Sequence, residues 1–84
     1  MKVIKIGAEW CPQCKMLDKK FEGFDACELT TYDAEENEDI VEKYGIRNIP
    51  ATILLDDNEN VIHRWAGLFD INEINKKIKE INNG

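Results

Sequence analysis

The stretch AEWCPQCKML, residues 8 to 17, sets two cysteines three positions apart with a tryptophan directly before the first. Immediately upstream, Lys2-Val3-Ile4-Lys5-Ile6 is short, mostly apolar and β-branched at its apolar positions, and reads as a strand. Downstream the period changes. Cys14, Leu17, Phe21 and Phe24 recur at spacings of three, four and three, with Lys15, Asp18, Lys19 and Glu22 on the other side, which is the stripe of an amphipathic helix. Cys14 opens that buried stripe and Cys11 lies a turn earlier, at the helix mouth. Cys11 is therefore expected to be the more exposed of the two.

Working outward, Cys27 to Tyr32 reads as a second strand. A short helix is expected from about Asn37 to Tyr44, with Ile40, Val41 and Tyr44 inward and Gly45 as its stop. Ala51 to Asp56 and Val61 to Trp65 form a hairpin across the turn residues Asp57-Asn58-Glu59-Asn60. From Asp70 a last helix carries Ile71, Ile74, Ile78 and Ile81 on one face, and Asp70 with Glu73 resembles a capping box. The order β-α-β-α-β-β-α makes strands 1 and 2 parallel and strands 3 and 4 antiparallel. The expected class is α/β, a four-stranded mixed sheet with helices on its faces, in one domain over residues 1–84.

Composition excludes several functions. A net charge of −6 and the lack of a basic stripe argue against nucleic acid, whose phosphates need clustered Lys and Arg. The acidic run from Asp33 to Asp39 reads as a solvated loop and the first turn of a helix. No apolar run approaches the roughly 18 residues of a membrane span, and the first seven residues are too short and interrupted for a signal peptide. A cytoplasmic, membrane-free protein is expected. Three cysteines in such a compartment point to catalysis or metal binding more than to a disulfide scaffold.

Two cysteines three apart beside a βαβ pattern suit redox chemistry. A nucleophilic thiol must be partly thiolate, and the unpaired N–H groups and dipole at a helix N-terminus stabilise that charge. Pro12 suits an early helical position, where its missing N–H costs nothing. Cys11 is assigned as nucleophile and Cys14 as the thiol that resolves a mixed disulfide.

At this point the chain resembles the thioredoxin family. AEWCPQCKML is similar to that family's active-site stretch, and KYGIRNIPATILL, residues 43 to 55, to the segment carrying its cis-proline. Gly67 sits where the family has a glycine after the last strand. The resemblance spans nearly the whole chain in a shortened form that glutaredoxins also share. It implies sheet order 2-1-3-4, a cis Ile49-Pro50 bond facing the cysteines, and an Ile49 backbone that pairs with extended substrate. Trp10, beside the nucleophile, would supply a flat contact surface. It further implies reduction of disulfide-containing proteins, electrons from a thioredoxin-reductase-type donor, and no bound organic cofactor, with a monomer as the default state.

Two departures stand out. Pro12-Gln13 separates the cysteines where thioredoxins usually have Gly-Pro, and Lys5 occupies the place of that family's buried aspartate. A solvent-directed Lys5 amine is expected, since an unpaired buried ammonium is expensive. Alternatives remain. A glutathione-dependent, glutaredoxin-like reductase is disfavoured because Ala66-Gly67-Leu68-Phe69-Asp70 lacks paired glycines. A non-catalytic binding module has no need of a dithiol. Zinc would need four ligands, whereas only Cys27 and His63 remain and neither forms a second motif. An iron–sulfur centre bridging two chains is equally disfavoured. Cys27, Tyr44 and Trp65 read as packing residues, and His63 as a half-exposed strand residue without a catalytic role.

Overall fold

The computed structural model describes residues 1–83. The elements run β1 (Lys2–Gly7), α1 (Pro12–Lys20), β2 (Glu28–Asp33), α2 (Glu38–Lys43), β3 (Ala51–Leu55), β4 (Val61–Ala66) and α3 (Asn72–Asn83). The sheet order is β2-β1-β3-β4. β1 pairs parallel with β2 and antiparallel with β3, and β3 pairs antiparallel with β4. The fold is thus the mixed α/β sheet that the order of elements implies.

Side-chain alternation along the two central strands decides what covers each face. Val3 of β1 and Leu54 of β3 point to one side, where they pack with Leu17 and Phe21 of the α1 region, Trp65 of β4 and Ile74 of α3. Ile4, Ile6, Ile53 and Leu55 point to the other side, against Tyr44, Ile40 and Val41 of the α2 region. β3 is buried along its whole length because both of its faces are covered. Leu17 and Ile74, each fully buried, are the anchors of α1 and α3. Burying such a side chain contributes about 1.5–3 kcal/mol.

Helix ends depart from the expected ones for local reasons. α1 stops at Lys20, with Phe21 as its cap. Phe24 therefore belongs to the following turn, where its ring meets Phe21 edge-on at 5.3 Å. α2 ends as expected at Gly45, whose φ of 62° only glycine adopts freely. The paired bonds Gly45 N–H to Glu42 O and Ile46 N–H to Val41 O form a Schellman stop. Asp70 does cap α3, but by accepting the Asn72 N–H at 3.0 Å, so the helix begins two residues after it. In the β3–β4 turn, Asp56 accepts the N–H groups of Asn58 and Asn60. Trp65 stacks on Phe69 at 5.1 Å and an interplanar angle of 8°, joining β4 to the α3 side of the sheet.

Among the described residues no helix is long and apolar enough to cross a membrane. Nor does any group of three or more His, Cys, Asp or Glu side chains among them stand ready to hold a metal ion.

Candidate active site

The end of β1 delivers the chain to a short loop, and the loop delivers Cys11 to the N-cap of α1. Cys11 is extended there (φ −91°, ψ 110°), and Pro12 follows as the first helical residue. Cys11 Sγ accepts the Cys14 backbone N–H at 3.2 Å, satisfying one of the four donors that a helix start leaves unpaired. That N–H is aimed at the sulfur on which thiolate charge would form.

The expected difference in exposure is not found. Cys11 is 6% exposed and Cys14 5%. Ala8 forms one buried cluster with the two cysteines, and the partly buried Ile49 packs against that cluster, a contact between distant segments that helix position alone does not reveal. The two sulfurs differ instead in bonding. Cys11 Sγ is the acceptor at the helix start, whereas burial, followed by its hydrogen bond to the Cys11 sulfur, pushes the Cys14 thiol up to about 11.

The Ile49-Pro50 peptide bond is cis. Pro50 is buried and shares a cleft with Cys14, and its carbonyl accepts the Gly67 N–H at 2.8 Å. Gly67 has φ 68°, and a Cβ there would lie 3.9 Å from Gln13 Oε1. Gln13, one of the two residues between the cysteines, thus lies near the glycine after β4. The structure therefore gathers Cys11, Pro12, Cys14, Ile49, Pro50 and Gly67 into one place from three separated segments. Trp10 stands at its rim, 67% exposed, with its Nε1–H donating to Glu35 at 2.6 Å.

The family that these features define is also recognised by comparison. The sequence pattern of the thioredoxin family matches residues 1–80. This chain belongs to the thioredoxin family. It is 30% identical over 81 residues to the SPbeta prophage-derived thioredoxin-like protein YosR of Bacillus subtilis, covering 96% of this chain and 99% of that protein. It is 34% identical over 83 residues to a thioredoxin of Chlorobaculum thiosulfatiphilum, covering 93% and 76%. Its fold superimposes on thioredoxin 1 of Thermosipho africanus with a TM-score of 0.78 at 27% identity, over the full length of both chains. Membership of this family supports thiol–disulfide oxidoreductase activity in general. The family acts on disulfide substrates and is reduced by thioredoxin reductase.

Within the thioredoxin frame, Lys5 corrects the sequence reading. Its amine does not run alone to solvent. It is buried on β1, ion-paired with the carboxylate of Asp18 on α1, and lies 5.0 Å from the centre of the Phe21 ring. Three further residues escaped the sequence reading. Gly7 lies so close to Cys14 that a Cβ would meet its Sγ at 3.0 Å, and a glycine closing a strand just before the cysteine loop was the available signal. Gln13 lies near Gly67. Thr52 is fully buried with its hydroxyl unpartnered. Nothing in the local sequence marks Asp18 or Thr52, because both acquire their surroundings from distant strands.

Proposed function

We propose that this protein, acting as one domain, reduces disulfides in protein substrates by cycling Cys11 and Cys14 between dithiol and disulfide. The observation that supports this most directly is the N-cap geometry, in which Cys11 Sγ receives the Cys14 N–H. Cys11 thiolate attacks one sulfur of the substrate disulfide, and the other substrate sulfur leaves with the bonding pair and takes a proton. Cys14 then loses its proton and bonds to Cys11 Sγ, breaking the mixed disulfide and releasing the second substrate thiol. Two electrons pass to the substrate, and a reductase of the thioredoxin-reductase type returns them. Pro12, Ile49, Pro50, Gly67 and the Trp10 ring form the substrate platform, with Ile49 offering main-chain groups to an extended segment. The working compartment is the cytoplasm and the working state a monomer.

Insulin reduction driven by dithiothreitol tests the activity, and Cys11→Ser should abolish it. Cys14→Ser should accumulate a mixed disulfide at Cys11, since the resolving thiol is gone. Replacing dithiothreitol by NADPH with a thioredoxin reductase, or by glutathione with glutathione reductase, separates the two possible donors. Turnover is expected with the first. Turnover with glutathione alone would assign the glutaredoxin-like reading, which the unpaired Gly67 disfavours.

A further inference from the structure

β2 is an edge strand: in the order β2-β1-β3-β4 its outer side meets no other strand among the described residues. The ladder fixes which backbone groups that leaves open. The Ala34 N–H is donated to Gly7 O across the β1–β2 pair, so in this unbroken parallel register Tyr32, Thr30 and Glu28 also face β1. Leu29 and Thr31, alternating with them, turn their N–H and C=O groups outward. Asp33 does the same, but its carbonyl accepts the Asn37 side-chain amide at 2.9 Å. The opposite edge of the sheet is protected. β4 slips register against β3 between Leu54 and Leu55 and carries Arg64, and bulges and charges are the usual guards of an exposed edge. β2 has neither in its middle. Leu29-Thr30-Thr31-Tyr32 is uncharged, rich in strand-forming residues and free of proline, and Thr31 is exposed.

We propose that the outer edge of β2 is a docking strand for an extended, basic segment of a partner protein, which joins the sheet through main-chain hydrogen bonds to Leu29 and Thr31. Charge decides the kind of partner. Acids stand at both ends of the open stretch, Glu28 before it and Asp33 after it, with Glu35 and Glu36 following. The neighbouring lysines of β1 are engaged elsewhere. Lys2, opposite Glu28, bonds Glu59 at 2.8 Å, and Lys5, opposite Thr31, is paired with Asp18. A second copy of this chain would bring the same acids and a further net charge of −6. A segment with Lys or Arg at its ends would instead meet those acids with opposite charge. β2 also ends at the redox site, because Thr31, Tyr32 and Asp33 line one cleft of about 660 Å³ with Cys14 and Pro50. A segment added to β2 would therefore hold its owner beside the dithiol. Such docking is independent of whether the protein reduces disulfides.

The probe is an acetylated and amidated peptide of alternating valine and threonine between terminal lysines, titrated into the isotope-labelled full chain and followed by NMR. The expected result is a Kd below about 1 mM, with amide shifts concentrated at Glu28–Asp33 and slowed exchange of the Leu29 and Thr31 N–H groups. A twin peptide ending in glutamates should bind at least about fivefold more weakly. A twin with its central amides N-methylated should not bind, since strand addition needs those N–H groups. Thr31→Pro removes an outward donor where an edge strand tolerates proline, and should weaken the lysine peptide by at least about tenfold. Glu28→Lys should weaken the lysine peptide and strengthen the glutamate peptide, each by about twofold to threefold. If Thr31→Pro does not fold, the N-methylated twin and Glu28→Lys decide. Shifts absent from β2, equal binding of the lysine and glutamate peptides, or binding of the N-methylated twin would each overturn the proposal. A wild-type dimer in sedimentation that Thr31→Pro dissociates would assign the edge to a second copy and equally overturn it.

Discussion

Replacing Gly7 by alanine probes how tightly β1 is built against the resolving cysteine. Gly7 does not occupy the left-handed region in which a side chain is strained, unlike Gly23, Gly45 and Gly67, so an alanine meets only a packing problem. That problem is direct. The new Cβ would sit 3.0 Å from Cys14 Sγ and 3.2 Å from Cys14 Cβ, closer than ordinary van der Waals contact by several tenths of an ångström. Neither partner yields easily. The Gly7 carbonyl accepts the Ala34 N–H at 2.8 Å, and Cys14 belongs to the first turns of a helix anchored by the fully buried Leu17. Overpacking of this kind costs about 1–3 kcal/mol. Gly45→Ala serves as the control. Nothing lies within 4 Å of its Cβ, but its φ of 62° carries a backbone cost of about 1–2 kcal/mol for an L-residue. Urea unfolding of the reduced proteins should show both losses. Alkylation of Cys14 in a Cys11→Ser background should change only with Gly7→Ala, because only that substitution moves the sulfur. A Gly7→Ala protein within 0.5 kcal/mol of wild type with unchanged Cys14 alkylation, roughly the scatter of neutral surface substitutions, would refute the close approach.

The raised Cys14 thiol makes a prediction in alkali. Its ordinary value is 9.0 and its folded value about 11, so from pH 9 to 11 the folded state keeps a proton that the unfolded state has lost. Stability of the reduced protein should fall across that window, and the fall should be shallower in Cys14→Ser, as urea midpoints at each pH would show. Trp10→Ala should leave the urea midpoint nearly unchanged because the ring is 67% exposed. It should instead raise KM for a protein disulfide without altering the reaction of Cys11 with a small disulfide, if the ring is a contact surface. Ile74→Ala should cost about 2–5 kcal/mol in urea unfolding as a fully buried anchor of α3. Ile81→Ala on the same helix, 41% exposed, should cost under about 1 kcal/mol.

Much of this molecule is local in origin and so was legible in the chain. The strand-to-helix change of period around Cys11 placed the cysteines at the start of α1, and β2, β3, β4 and α3 followed from alternation, turn residues and the isoleucine stripe. Gly45 could be read as a stop because the conformation it provides is a property of one residue. The resemblance of two short segments was enough to imply the sheet order and the position of Pro50.

What the tertiary structure alone decided concerns residues whose neighbours are far away in the chain. Cys11 is as buried as Cys14, in a cluster with Ala8 that Ile49 of a distant segment packs against, so packing outweighs a position at a helix mouth. Lys5 found Asp18 thirteen residues on, since β1 and the first helix of a βαβ unit face each other across the core. A charge pair of this kind has no period and no motif. Each member alone reads as an ordinary polar residue, and only the stacking of helix on strand shows that they meet beside Cys14.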